Sequence, residues 1–114
     1  MKRISKKQAA IKRKLNRVYN IKAESEEKKC TGCDRYDVPL SFSHIIPRSR
    51  RPDLTAEYNN ITFHCLSMGE NLGCHDIWEH GSADEKMMLM DYDKNMSYIR
   101  EVDTEYYNLL KLKE

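Results

Sequence analysis

The sequence predicts a small α+β domain, in which helices flank a short antiparallel hairpin. Residues 40–46 and 61–64 alternate apolar and polar side chains with the period of a β-strand. Helical periodicity recurs before this pair, over residues 5–20, and in several segments after residue 74. The chain has 114 residues, enough for one small domain, and 33% of them are charged. A core this small needs an additional stabilising element, such as a bound metal ion.

The predicted N-terminal helix, over residues 5–20 with Ser5 as its N-cap, is strongly basic. Residues 1–22 contain nine Lys or Arg and no acid, whereas the rest of the chain has eleven Lys or Arg against eighteen Asp or Glu. Apolar residues at positions 4, 11, 15 and 18 form one stripe, so the helix can dock on the domain while its basic face contacts phosphates; a merely solvated face is the alternative. The predicted contacts to DNA are Lys6, Lys7, Arg13, Lys14 and Arg17. Residues 23–29 follow as a polar connector.

The four cysteines are predicted to bind one metal ion rather than to form disulfides. The sequence has no apolar run long enough for a transmembrane helix and no signal peptide, so we expect a cytoplasmic protein with reduced thiols. Cys30 and Cys33 flank Gly32 at a spacing that lets two thiolates face one ion, and no βαβ pattern supports the alternative of a redox motif. Eight residues separate Cys65 from Cys74, and we predict that they loop out and return the chain to the metal.

A histidine stands near the end of the first predicted strand. Pro47 has no amide hydrogen for a strand ladder, so the strand should end there and present His44 to solvent. Three arginines follow within four residues: Arg48, Arg50 and Arg51. A basic turn beside a histidine suits contact with a phosphate backbone, and an ordinary exposed loop is the alternative.

Three helices are predicted after the second strand. The first runs from Cys74 to His80 and stops at Gly81. The second begins with the capping box Ser82–Glu85 and carries methionines that we expect in the core. A break is predicted around residues 93–95, before a last helix that starts at about residue 102.

Together, these residues follow an order that resembles the zinc-bound HNH nucleases. The order is CxxC, then His-Ile-Ile-Pro, an asparagine (Asn60), a cysteine and Cys-His, and it covers about residues 28–81. The resemblance implies a ββα-metal core stapled by a zinc site of four cysteines: Cys30, Cys33, Cys65 and Cys74. The chain then divides into a basic N-terminal helix with its connector (residues 1–27), the HNH core (28–81) and C-terminal helices (82–114).

The resemblance also implies hydrolysis of DNA phosphodiester bonds with a catalytic divalent ion, Mg²⁺ or another. It assigns the general base to His44, ordering of the site to Asn60 and a ligand of the divalent ion to His75. Glu79 lies about 40° from His75 around the helix, at about 100° per residue, so it is better placed than His80 as a second ligand. We expect His64, which alternates with Cys65 along the strand, to be structural.

One residue departs from the family pattern. Many of these nucleases carry an aspartate, or sometimes a second histidine, as a metal ligand directly before the catalytic histidine, and here that residue is Ser43. A hydroxyl is a poor ligand for a hard divalent ion. Either His75 holds the ion with water and Glu79 or another acid, or the chain is a catalytically degenerate, zinc-stapled nucleic-acid-binding module. A structural zinc protein whose basic arm binds a protein partner is a third alternative.

The layout of the chain also looks like the small HNH proteins of bacteriophages, including the lambda NinG-type recombination proteins. It shares with them a basic N-terminal helix, the core and a Cys-His-x-x-Trp-Glu run that starts at Cys74. This resemblance implies a phage-encoded protein that acts in the cytoplasm of the host cell. The form of the DNA substrate and the oligomeric state stay open.

Overall fold

The computed structural model describes residues 6–114, which form a mixed α+β fold. The helices are α1 (Lys6–Ser25), α2 (Cys74–His80), α3 (Ala83–Met87), α4 (Tyr92–Val102) and α5 (Thr104–Lys111). The strands are β1 (Leu40–His44) and β2 (Ile61–Cys65), and two 3-10 turns lie between them, Pro52–Leu54 and Tyr58–Asn60. Ile4 and Ser5, the start of the predicted stripe and the predicted N-cap, lie outside the described residues.

The two strands form an antiparallel pair, as predicted. Leu40 pairs with Cys65 at one end of the ladder, and His44 pairs with Ile61 at the other. Strand β1 ends at His44 rather than at residue 46, because the side chain of Asn60 accepts a hydrogen bond from the backbone N–H of Ile46 at 2.8 Å. His44 is therefore the last residue of the strand, beside a loop whose backbone is held by a side chain.

Helix α1 packs across one side of the hairpin through its apolar stripe. Leu15 is buried, and the Tyr19 ring stacks on Phe42 with 4.1 Å between ring centroids and an interplanar angle of 4°. The helix continues to Ser25, so the predicted connector begins later than expected. This extension buries Lys22, whose ammonium group lies 2.8 Å from Glu26 and 3.8 Å from the centre of the Tyr58 ring.

The larger core lies on the other side of the hairpin. Helix α2 packs against both strands, and its Trp78 is buried together with residues of α4 such as Met96 and Ile99. The predicted break at residues 93–95 is wrong, since these residues lie within α4. The spacing of the buried residues Tyr92, Met96 and Ile99 keeps one face of the helix against the core, and this outweighs the polar run between them.

In the segment of helix α3, the predicted capping box is confirmed and the predicted burial of the methionines is not. Its capping box is present: Ser82 Oγ accepts a hydrogen bond from the Glu85 backbone, and the Glu85 carboxylate accepts one from the Ser82 backbone. The expectation that the methionines fill the core is wrong, because Met87, Met88 and Met90 are exposed. The helix is only five residues long, so a single side chain of the segment, Leu89, reaches the core. Among the described residues, no helix has the length and apolar character needed to cross a membrane.

Candidate metal centre and active site

The four cysteines converge on one point between the hairpin and α2. Their Sγ atoms all lie within 4.8 Å of one another, and those of Cys33 and Cys65 are 3.8 Å apart. All four thiols are free, and three of them are buried: Cys30, Cys65 and Cys74. Burial raises the pKa of the thiols of Cys30 and Cys74, so neither is a reactive thiolate by itself. The predicted convergence of the two cysteine pairs is confirmed, and the cluster could hold one metal ion.

The segment between Cys65 and Cys74 loops out, as predicted, and is closed at its base. A Cβ atom on Gly73 would lie 2.4 Å from the carbonyl oxygen of Cys65, so only glycine fits where the two ends of the loop cross. The Ser67 hydroxyl accepts a hydrogen bond from the Gly73 backbone at 2.9 Å and also bonds to Asp76 in α2. The long spacing between the two cysteines is therefore compatible with a compact metal site.

The CxxC turn requires a tight backbone at two positions. A Cβ atom on Gly32 would lie 2.9 Å from the Sγ atom of Cys74, which explains the absence of a side chain there. Asp34 has a φ of 66°, a left-handed conformation that is uncommon for residues other than glycine and that Asp and Asn adopt more readily than most. Its backbone N–H donates to the Cys30 carbonyl at 2.8 Å, which closes the turn around the first cysteine.

His44 is held in one tautomer. Its Nε2 atom lies 2.8 Å from the carbonyl oxygen of Thr55, which can only accept, so Nε2 carries the proton and Nδ1 has the free lone pair. Burial lowers the pKa of His44 below its ordinary value, and it outweighs the hydrogen bond to Thr55, which acts in the opposite direction. The ring is therefore neutral at pH 7, and Nδ1 can accept a proton.

His75 lies between Ser43 and Glu79. Its Nδ1 atom is 2.6 Å from the hydroxyl oxygen of Ser43, and its Nε2 atom is 3.6 Å from a carboxylate oxygen of Glu79. Ser43 is fully buried, whereas the side chains of His75 and Glu79 are 20% and 40% exposed. The imidazole nitrogen and the carboxylate that face solvent could bind one divalent ion, with water in the remaining positions. Glu79 lines the same cleft as His44, and its negative charge acts to raise the pKa of His44, against the larger effect of burial.

Asn60 holds the loop that follows His44. It is fully buried; its amide group donates to the carbonyl oxygens of Ile46 and Leu54 at 3.1 and 3.2 Å, while its oxygen accepts from the Ile46 backbone. These bonds connect both ends of the segment from residue 46 to residue 54. The geometry is that of a residue that orders the loop, and its part in catalysis stays a prediction.

Two of the three loop arginines are paired within the protein. Arg50 binds Asp103 through two N–H groups, at 3.2 and 3.3 Å, and Arg51 binds Asp53 in the same way at 2.8 and 2.9 Å. Arg48 is exposed and has no ion-pair partner within residues 6–114. Phosphate contact by all three stays a prediction, and Arg48 is the residue that the structure leaves available for it.

The basic face of α1 points away from the hairpin. The predicted DNA contacts on this helix are all exposed: Lys6, Lys7, Arg13, Lys14 and Arg17. Within the described part of the chain, none of them has a salt-bridge partner, in contrast to Lys22 near the end of the helix. The apolar stripe thus docks the helix on the hairpin and leaves its positive charges accessible. This arrangement is compatible with contact to phosphates and also with a merely solvated face.

A cleft of about 510 Å³ opens beside His44, between the end of β1, α2 and α5. Its lining includes His44, Arg48, Trp78, Glu79 and Tyr106. The general-base candidate, the candidate ligand Glu79 and the unpaired Arg48 therefore share one solvent-filled space. Sequence patterns do not indicate this cleft, because α5 is distant from His44 along the chain.

A buried polar network that no sequence pattern indicates braces the metal site. His64 is fully buried, and its Nε2 atom donates to a carboxylate oxygen of Asp91 at 2.8 Å. The hydroxyl of Thr31, inside the CxxC turn, lies 2.7 Å from the same oxygen. The expectation that His64 is structural agrees with these contacts, but no local signal indicates Asp91 as its partner.

The chain has no significant match among protein-family models, curated proteins or solved structures. Evidence for function therefore comes from the residues of the site and their geometry.

Proposed function

We propose that this protein is a metal-dependent endonuclease of the HNH type that hydrolyses DNA phosphodiester bonds. The observation that carries the proposal is the arrangement around His44: a neutral imidazole with a free Nδ1 atom, fixed by the Thr55 carbonyl and next to His75 and Glu79. The antiparallel pair of strands with α2 packed against both is the arrangement expected for a ββα-metal core. A phage-encoded setting stays a prediction.

In this proposal His44 acts as the general base. Nδ1 accepts a proton from water as the water oxygen attacks phosphorus, while the bond between Nε2 and Thr55 keeps the ring in place. A divalent ion held by His75 and Glu79 would bind the scissile phosphate and offset the charge on the leaving oxygen. Asn60 keeps the adjoining loop in position, and Arg48 contacts a phosphate of the strand.

The cysteine cluster is proposed to hold a structural zinc ion. With zinc–sulfur bonds of about 2.3 Å, two ligands of a tetrahedral site lie about 3.8 Å apart. The distance of 3.8 Å between the Sγ atoms of Cys33 and Cys65 fits this geometry. A set of four thiols binds zinc in preference to Mg²⁺ or Ca²⁺. Zinc would hold the CxxC turn, the end of β2 and the start of α2 together.

Cleavage of plasmid DNA tests the proposal. Zinc-loaded protein is incubated with plasmid and Mg²⁺, Mn²⁺ or Ni²⁺, beside the variants His44→Ala and Tyr36→Ala. Tyr36 is an exposed aromatic residue outside the lining of the cleft and serves as the control. We expect wild type and Tyr36→Ala to cleave equally and His44→Ala to lose about 10²- to 10⁴-fold, the usual contribution of one general base. If His44→Ala cleaves as fast as wild type, the assignment of the base is wrong.

A catalytically degenerate, nucleic-acid-binding module is the second candidate. It is favoured by the small number of donors at the proposed catalytic ion: His75 and Glu79 are present, but Ser43 takes the place of the expected acid. The Ser43→Asp variant distinguishes the two candidates. If wild type binds DNA but cleaves none with any divalent ion, and Ser43→Asp does cleave, the protein is a binding module derived from a nuclease.

A further inference from the structure

The cleft beside His44 has an apolar and aromatic wall. The side chains that form it come from α2, α4 and α5: Trp78, Tyr92, Met96, Tyr106 and Leu110. Its volume of about 510 Å³ lies within the range of sites that bind small ligands, roughly 300–1,000 Å³. Aromatic walls of this kind bind planar rings, because every nucleobase has a π-face that can stack on them.

The same cleft carries positive charges that form no salt bridge among the described residues. Arg48, Lys86 and Lys113 line it, and none of them forms a salt bridge within residues 6–114. The Lys86 ammonium group lies 5.7 Å from the centre of the Trp78 ring, so a cation and an aromatic face are presented together. The carboxylates that line the cleft are already engaged: Glu114 pairs with Lys111 at 2.7 Å, and Glu79 faces His75.

From these two features we infer that the cleft binds an unpaired nucleotide of the DNA substrate, with its base against the aromatic wall and its phosphate near the unpaired cations. This inference rests on the proposed endonuclease function and specifies its substrate class. A base in an intact duplex is stacked and paired, and it cannot enter a cleft of this kind without being unpaired. The preferred substrate is therefore single-stranded or branched DNA, in which a free base can lie beside the phosphate that His44 attacks.

The single tryptophan of the chain makes the inference testable by binding alone. Trp78 lines the cleft, so its fluorescence reports on what enters. The zinc-loaded His44→Ala variant, which preserves the DNA, is titrated without added divalent ion. The three probes are a single-stranded oligothymidylate, a strand of equal length in which every site is abasic, and a blunt duplex. The abasic strand retains the phosphates and lacks the bases.

We expect oligothymidylate to quench Trp78 fluorescence and to bind about tenfold more tightly than the abasic strand, in the range found for stacking of one base. The duplex should bind without quenching. Tyr106→Ala should remove the preference for bases, whereas Tyr107→Ala, a neighbouring and similarly half-buried tyrosine outside the cleft lining, should retain it. Equal affinity for the two single strands without quenching overturns the inference, and this result needs no further variant.

Binding and cleavage separate the inference from the proposal on which it rests. A protein that prefers strands with bases and cleaves none of them supports the nucleotide cleft and overturns the endonuclease proposal. A protein that cleaves duplex plasmid and does not distinguish the two single strands supports the endonuclease proposal and overturns the nucleotide cleft.

Discussion

The hydroxyl of Ser43 lies 2.6 Å from Nδ1 of His75 and is fully buried beside it. If Nε2 of His75 binds a divalent ion, its lone pair must point to the ion, and Nδ1 must carry the proton and donate to Ser43. Ser43 then orients the ligand His75 and does not itself bind the ion. Hydrogen-bond partners of this kind fix the ring and the tautomer of metal-binding histidines.

Replacement of Ser43 by alanine should weaken binding of the divalent ion. The ring of His75 would lose its hydrogen-bond partner, and such losses typically cost about 10- to 100-fold in metal affinity. Titration with Mn²⁺ at constant zinc content measures the effect. Ser41→Ala is the matched control, since Ser41 is on the same strand and, among the described residues, its hydroxyl donates a hydrogen bond only to the Phe42 carbonyl. Equal Mn²⁺ affinity in the two variants would mean that Ser43 has no such role.

Removal of the structural metal should unfold the domain. The four cysteines lie in the CxxC turn, at the end of β2 and at the start of α2. Without a bound ion, the cysteines no longer link these three segments. We expect one zinc ion per chain by elemental analysis, loss of the helical circular dichroism signal in a strong chelator, and similar losses for Cys30→Ser and Cys74→Ser. A fold that persists in chelator contradicts the structural role.

The stability that Asp103 provides should depend on pH in a defined direction. Its hydrogen bonds from Arg50 lower the pKa of Asp103 and thereby favour the folded state wherever the carboxyl of the unfolded chain is ionised, above a pKa of about 3.9. Asp103→Asn, which keeps a side chain able to cap α5, should therefore unfold at lower urea concentration than wild type at pH 7. The difference should shrink as the pH falls below about 4.

The exposed residue Asp93 provides the control for this measurement, because it has no ion pair within the described residues. Asp93→Asn should unfold close to wild type at both pH values. A gap between Asp103→Asn and wild type that stays constant from pH 7 to pH 3 would assign the stabilisation to packing rather than to charge.

The basic face of α1 should contribute affinity for DNA and not catalysis. Deletion of the helix is a poor test, since it would also remove Leu15 and Tyr19 from the packing against the hairpin. Lys6→Gln combined with Lys14→Gln should instead weaken DNA binding and flatten its salt dependence, by roughly 0.7–0.9 in the slope for each phosphate that is no longer neutralised.

A variant with the same change in charge on other surfaces is the control for this prediction. Lys28→Gln combined with Lys94→Gln removes two exposed lysines that lie outside the basic face. An identical salt slope for the two double variants would show that α1 does not track phosphates.

Features that depend on neighbouring residues could be predicted from the sequence. The strand alternation, the helix between Cys74 and Gly81 and the capping box of Ser82 each follow from a local rule, and each is present. The convergence of the cysteines was also predictable, because reduced cysteines at this spacing, without the pattern of a redox motif, are most often metal ligands.

Contacts between distant segments could not be predicted in this way. Asp91 pairs with His64, and Asp103 pairs with Arg50, across 27 and 53 residues respectively. The sequence around a charged residue does not indicate whether its partner will be a phosphate or a carboxylate of the same chain. For this reason the loop arginines were all predicted to contact DNA, although two of them are already paired.

Because the two ends of the loop cross at Gly73, the length of the loop does not affect the geometry of the cysteine cluster. Residues 66–72 lie beyond this crossing and are exposed, and a short backbone ladder between Met68 and Asn71 turns the chain at Gly69. Residues could be added or removed at the turn without displacing the sulfur of Cys65 or Cys74. The loop is therefore a place where a fluorophore, an affinity tag or a second binding segment can be inserted without displacing the cysteine cluster, and where chain length can vary while the four cysteines keep their positions.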